Sequence, residues 1–267
     1  MKSLSSFLIF LGVSLVFGRL AAQPAVDEKR VKEPAPAAAS PYVMKPASPD
    51  GIGKVFHGRE ISHVMGHPGI GWLERENRED EEAPSKAIAM LELAPSAVVA
   101  DIGAGSGYYS FRIAPKIPLG KVMAVDIQQE MLDFLKKRSA ELGITNVVPH
   151  LGKIDCLNLP EATLDAALMV DAYHEFSEPA EMLASIFKSL KPGGRIFLIE
   201  YRAEDPNVPI KPLHKMSEAQ VRLELESAGF KFIANKPGLP WQHLFVFERP
   251  PAVPADKDAE TPQVPNK

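Results

Sequence analysis

Residues 97–109 read Ala97-Val98-Val99-Ala100-Asp101-Ile102-Gly103-Ala104-Gly105-Ser106-Gly107-Tyr108-Tyr109. An apolar run this short, ending at alternating glycines, reads as a strand buried on both faces that turns sharply into a helix. The same grammar continues downstream. Residues 121–126, 146–151, 164–170 and 195–200 read as further strands. Between them, residues 106–114 read as a helix stopped by Pro115, and 129–142 as one capped by Gly143. Residues 179–190 read as a helix ended by Lys191-Pro192-Gly193-Gly194. Ser217-Glu218-Ala219-Gln220 has the form of a capping box opening a helix to Ala228, and residues 231–234 and 243–247 are expected to close the sheet as a hairpin pair. Strands alternating with helices imply βαβ units and an α/β, doubly wound sheet. Ligands of such sheets bind beyond the carboxyl ends of the strands, which places Asp101, Asp126, Asp155 and Asp171 on one rim.

The 267-residue chain is 24% charged and 45% hydrophobic, which excludes a wholly disordered protein. A net charge of −4 leaves no basic excess to neutralise a phosphate backbone, so no nucleic-acid partner is expected. A single cysteine, Cys156, excludes an intramolecular disulfide and any multi-cysteine metal site. Of 25 prolines, six fall in residues 1–50 and five in 250–267, which leaves 52–249 as the folded domain. Lys2, the apolar stretch from Leu4 to Phe17 and the small residues Ala21 and Ala22 make 1–22 a signal peptide, so an exported protein, periplasmic or secreted, is expected. The alternative is an uncleaved N-terminal membrane anchor, although the stretch is short for a span of ~20 residues. Residues 23–51 read as a Pro/Ala-rich linker and 250–267 as a disordered tail.

The glycine loop has the spacing G-x-G-x-G. The dinucleotide fingerprint wants G-x-G-x-x-G, and Tyr108 stands at its third glycine. A carboxylate at the mouth of the loop, Asp101, would repel a pyrophosphate but suits a ligand carrying an ammonium and a sulfonium. S-adenosylmethionine carries both. The alternative is a tight turn with no ligand. Asp126 ends the second strand, where a carboxylate accepts from two ribose hydroxyls, the alternative being a solvated strand-end acid. Asp155 is placed to accept from the adenine amino group, or is an Asx-turn residue.

Residues 99–107 resemble the first motif of class I S-adenosylmethionine-dependent methyltransferases. Ala124-Val125-Asp126 is similar to their second-strand acid motif, 164–176 to their fourth-strand motif, 190–195 to the turn before the fifth strand, and Ala228-Gly229-Phe230 to the phrase before the last hairpin. The resemblance spans residues 85–248 in order. It implies a Rossmann-like, seven-stranded, mostly parallel sheet with an antiparallel last strand, and S-adenosylmethionine as cofactor. It implies contacts to that cofactor from Asp101, Gly103, Gly105, Asp126 and Asp155, with Ala104, Gly107, Ile127 and Cys156 beside them.

Methyl transfer from a sulfonium is an in-line displacement, for which the protein supplies proximity, orientation and a dry site. A base is needed only where the acceptor must lose a proton. The catalytic candidates follow the fourth strand: Asp171, Tyr173 and His174, with Glu175 next to them. His174 titrates nearest neutrality, the alternative being a helix-start residue bonded to a backbone carbonyl. Residues 57–84, with His63, His67, Trp72, Arg75 and Arg78, are expected to cap the cofactor, the alternative being a surface helix with solvated charges, as expected for part of 79–82. Residues 200–205 and 211–216 are expected on the ligand rim. His63, His67, His174 and His214 match no short ligand spacing, so no metal is expected. A small-molecule acceptor is expected ahead of a protein, and membrane contact only through the N-terminal segment. The rival class is a non-catalytic S-adenosylmethionine-binding protein.

Overall fold

The computed structural model describes residues 40–251. The expected signal peptide, residues 23–39 of the linker and all but the first two residues of the tail lie outside them. The linker boundary at 51 is corrected. Its last residues join β1 (Tyr42–Met44) to β2 (Gly51–Phe56), which with β3 (Arg59–Ser62) forms a small antiparallel sheet in the order β1-β2-β3. A carboxylate explains why a Pro-containing stretch folds here: Glu60 accepts the N–H groups of Ser48 and Gly53 at 2.9 and 3.1 Å and pairs with Lys45. Three short helices follow, α1 (Ile70–Leu73), α2 (Arg78–Glu82) and α3 (Pro84–Met90).

The main sheet has seven strands. β4 (Val98–Ile102), β5 (Lys121–Asp126) and β6 (Val147–Leu151) run to one side; β7 (Leu164–Val170) and β8 (Leu190–Tyr201) run to the other. β9 (Lys231–Lys236) and β10 (Gln242–Glu248) complete the order β6-β5-β4-β7-β8-β10-β9, in which β10 is antiparallel to both neighbours. Strand order reverses between β4 and β7, the crevice where such sheets bind ligands. The helices are α4 (Tyr108–Ile113), α5 (Gln129–Leu142), α6 (Pro179–Ser189) and α7 (Glu218–Ser227). Successive strand residues alternate between two cores. Val99, Ala166, Phe197 and Val246 pack with α3, α4 and α5; Ala100, Ala167, Leu198 and Phe247 pack with α6 and α7. Both faces are therefore covered, which is why the strands read as continuous apolar runs.

One local expectation changes. The Lys191-Pro192-Gly193-Gly194 turn is a bulge within β8, stapled by Gly193 N–H to Arg249 O and Arg249 N–H to Gly194 O, both 2.8 Å. Part of the 79–82 charge is in solvent, as expected, at Glu79 and Asp80, whereas Glu82 is wholly buried: it pairs with Arg75 and Arg78 and accepts the Tyr201 hydroxyl at 2.7 Å. Among the described residues no helix is long and apolar enough to cross a membrane.

Candidate active site

A cavity of about 250 Å³ opens at the carboxyl ends of β4 and β5. Gly103, Gly105, Asp126 and Ile127 line it, as expected from the sequence, and Met131 of α5 adds an apolar wall. Gly103 N–H and Ala104 N–H both donate to Val125 O, at 2.9 and 3.0 Å, fastening the loop to β5. Asp126 continues the fastening: Oδ2 accepts Gly105 N–H at 3.0 Å and Oδ1 accepts Gln128 N–H at 2.9 Å. Burial raises its pKa against the lowering pull of those bonds. Gly105 has φ +54, and a Cβ on it would stand 2.8 Å from Leu73 Cδ1, so the turn and the close approach of α1 both require glycine.

Five of the expected cofactor residues do not line this cavity. Asp101 is 3% exposed and turns behind the loop, where it accepts the Ser110 hydroxyl at 2.6 Å; burial pushes its pKa up to about 6. Ala104 is a core residue. Gly107 has φ +75 and abuts Leu135 and Phe111, so its lack of a side chain serves packing. The loop after β6 closes on itself through Lys153 N–H to Cys156 O at 2.8 Å, which leaves Asp155 exposed. Cys156 faces α6, where its Sγ accepts from Asn158 N–H at 3.3 Å and from Ser185 Oγ–H at 3.5 Å, bonds that lower its pKa. Lys153 and Ile154 line the cavity in their stead.

A second cavity, of about 400 Å³, adjoins the first. The two share His63, Val64, Met65, Asp171 and Glu175 as walls. The shared segment 62–67 is strapped across the site: Met65 N–H donates to Glu175 Oε2 at 3.0 Å, while Gln128 accepts from His67 N–H and donates to Met65 O. The expected cap therefore exists, and Gln128 is the anchor that sequence reading missed.

The three catalytic candidates separate. Asp171 lines both cavities at φ +48; its Oδ2 accepts Gln242 Nε2–H at 2.7 Å and its Oδ1 makes no hydrogen bond. Burial and then the Glu82 and Glu200 carboxylates raise its pKa well above the usual carboxylate range. His174 lines the second cavity and is 2% exposed. Glu200 holds it twice, accepting the backbone N–H at 3.3 Å and facing Nδ1 at 2.6 Å. Burial alone would lower the His174 pKa; the Glu200 carboxylate outweighs it and the net direction is up. Its carbonyl accepts from Arg59, whose guanidinium also pairs with buried Glu224. Tyr173 is corrected: it is fully buried and donates to Glu224 Oε2 at 2.7 Å, away from both cavities. The three-residue helical turn 173–175 sends neighbouring side chains in different directions, Tyr173 into the core and His174 and Glu175 into the cavities.

His214, 40 residues beyond His174 in the chain, stands with Nδ1 3.1 Å from His174 Nε2. Its Nε2 is 3.0 Å from Asp50 Oδ2. The sequence had assigned Asp50 to a linker and offered no spacing that could join it to His214.

The fold and site define an α/β protein with a pocket at the switch point and a second cavity beside it. The residues fit S-adenosylmethionine: a strand-end carboxylate for a ribose, an apolar wall, and in Asp171 a buried, unpartnered carboxylate oxygen for a cationic group. A methyltransferase-domain family model matches residues 99–194. An uncharacterized methyltransferase-like protein of Schizosaccharomyces pombe is 28% identical over 135 residues, 51% of this chain and 49% of that one. A mitochondrial 2-methoxy-6-polyprenyl-1,4-benzoquinol methylase of Caenorhabditis elegans is 29% identical over 132 residues, 48% of this chain and 45% of that one. The chain spans about half the length of these curated relatives or less. The crystal structure of an S-adenosylmethionine-dependent methyltransferase from Aquifex aeolicus superposes with a TM-score of 0.66 at 26% identity, covering 69% of this chain and 99% of that one. Residues 99–194 therefore match a methyltransferase domain, and the chain is similar to class I S-adenosylmethionine-dependent methyltransferases, whose cofactor is S-adenosylmethionine.

Proposed function

We propose that this protein transfers the methyl group of S-adenosylmethionine to a small molecule held in the second cavity. One observation carries the reading: the cofactor pocket opens, past Asp171 and Glu175, into a separate cavity bearing titratable groups. A module that only stored the cofactor needs no second cavity. Bound S-adenosylmethionine supplies an electrophilic methyl on a sulfonium. With both bound, an acceptor lone pair would take that methyl carbon while the electron pair of the S–C bond would return to sulfur. Asp126 and the glycine loop fix the nucleoside end, the 62–67 strap excludes water, and the His174 cluster handles any proton the acceptor must lose. The Caenorhabditis elegans relative, named for methylating a benzoquinol, supports a small acceptor carrying a hydroxyl.

Calorimetry is expected to show micromolar-range binding of S-adenosylmethionine or its demethylated product and negligible binding of NAD. With methyl-labelled cofactor, label is expected to pass to a member of a small-molecule panel. Tight NAD binding would overturn the reading of the loop. Cofactor binding with no transfer to small molecules or proteins would leave a non-catalytic binding protein. We also propose export through residues 1–22, for which mass spectrometry of the mature N-terminus is the test.

A further inference from the structure

The geometry points to a divalent transition-metal site, formed by His174 Nε2, His214 Nδ1 and Glu175 Oε1 on the wall of the second cavity. The three atoms are 3.1, 3.7 and 3.8 Å apart. A point equidistant from atoms so spaced lies about 2.1 Å from each, inside the range for imidazole and carboxylate bonds to Zn²⁺.

The protonation pattern argues for a cation there. Glu200 Oε2 lies 2.6 Å from His174 Nδ1 and Asp50 Oδ2 lies 3.0 Å from His214 Nε2, and a carboxylate oxygen calls for an N–H. With both protons on those distal nitrogens, Nε2 of His174 and Nδ1 of His214 present lone pairs to each other across 3.1 Å. Glu175 adds a third: its Oε2 is taken by Met65 N–H, and its Oε1 faces the two imidazoles. Three inward lone pairs in a largely buried corner repel unless positive charge sits among them. A single shared proton satisfies two of them; a divalent ion satisfies all three. Ligating histidines characteristically give their other nitrogen to a carboxylate; here His174 Nδ1 meets Glu200 in hydrogen-bond geometry, and His214 Nε2 has Asp50 Oδ2 at ion-pair distance. Two imidazoles with one carboxylate suit Zn²⁺ or Fe²⁺ rather than Mg²⁺ or Ca²⁺. Three protein ligands leave a coordination position open, which is the arrangement of catalytic sites.

The site stands on this geometry alone. Only its role rests on the methyltransferase reading: an ion there would bind an acceptor oxygen and lower the pKa of its hydroxyl, so that no free imidazole base is required.

The test is Zn²⁺ titration of the chelator-stripped full chain by calorimetry, with S-adenosylmethionine affinity measured in parallel. One tight Zn²⁺ per chain is expected. Asp50→Asn should weaken it by ~10–100-fold, the effect of losing a carboxylate behind a ligating histidine, and His214→Ala by more. Co²⁺ in place of Zn²⁺ should give visible absorption bands that His214→Ala loses. His214 ends a one-turn 3-10 helix, partly exposed and outside the first cavity, so unchanged S-adenosylmethionine affinity in His214→Ala certifies an intact fold. Zn²⁺ binding that neither variant weakens, or no tight Zn²⁺ in the wild type, would overturn the proposal and leave a shared proton in the corner. Failure of wild-type S-adenosylmethionine binding would instead overturn the methyltransferase reading.

Discussion

At the residue scale, the acids of the ligand rim share a position in the sequence and differ in duty. Asp126 is reached by two backbone N–H groups and still borders the cavity. Asp126→Ala should weaken cofactor binding by ~1.5–3 kcal/mol, the scale of hydrogen bonds to a charged group, as read by calorimetry. Asp101 faces inward, and its expected effect is on stability. Its pKa stands raised from 3.8 to about 6 in the folded chain by burial. Below 3.8 the carboxyl is protonated in both states and its contribution is fully present. As pH rises through 6 the folded state must ionise a buried group, and that contribution is lost, by about 3 kcal/mol for a shift of this size. Denaturant unfolding at pH 4 and pH 7 should show this loss in the wild type, and a smaller loss in Asp101→Asn. His174→Ala should lower turnover by roughly 10²–10⁴-fold with cofactor affinity nearly unchanged, since His174 borders the second cavity and not the first. Residue type and strand-end position made Asp126 and His174 legible. Nothing in one sequence distinguishes Tyr173, one position away, because a three-residue helical turn has no period from which to read a face.

At the element scale, the site is closed by a segment that does not belong to the main sheet. β3 carries Arg59 to buried Glu224 on α7, through Nε at 2.7 Å and Nη2 at 2.8 Å, and passes another N–H to the carbonyl of His174. Arg59→Met would leave Glu224 charged, buried and without its cation. Removal of one partner of such a pair costs roughly 3–5 kcal/mol, so a loss of that size in unfolding free energy is expected, in contrast to the small effect of an exposed pair such as Lys137–Glu141. The strap after β3 depends on Gln128, which bonds both His67 N–H and Met65 O. Gln128→Ala should remove two bonds worth ~0.5–1.5 kcal/mol each and appear as faster amide exchange at residues 65–67 with faster cofactor release. The helices and strands of the main sheet were legible because their apolar periods are long and their stops are glycine and proline: β5, α5 and β7 fall on the residues the pattern marks. The β1–β3 sheet was not, because its strands are three to six residues long and its stability comes from Glu60 reaching across a Pro-containing turn.

At the scale of the whole molecule, the cofactor pocket is assembled from parts distant in the chain: the glycine loop, the ends of β5 and β7, and the strap contributed by residues 62–67. The ordered motifs sufficed to read the sheet, its switch point and the identity of the cofactor. They could not reveal the second cavity, because Asp50, His174 and His214 meet only through tertiary packing. A pocket closed by separate segments has a thermodynamic signature. A ligand that binds only when glycine loop, strand ends and strap are together binds the native state and not the unfolded chain. It then stabilises by RT ln(1 + [L]/Kd), ~2.7 kcal/mol at a hundredfold excess over Kd. For a domain of this size each kcal/mol moves the melting temperature by about 2–4 °C, so S-adenosylmethionine at that excess should raise Tm by ~5–11 °C. NAD at equal concentration should leave Tm unmoved, because its pyrophosphate would meet a loop with Asp126 beside it and no basic side chain among its glycines. Thermal melts with each ligand in turn check this: equal shifts for both would show that the pocket does not discriminate by charge, and no shift for either would show that the strap and loop do not close on a nucleoside at all.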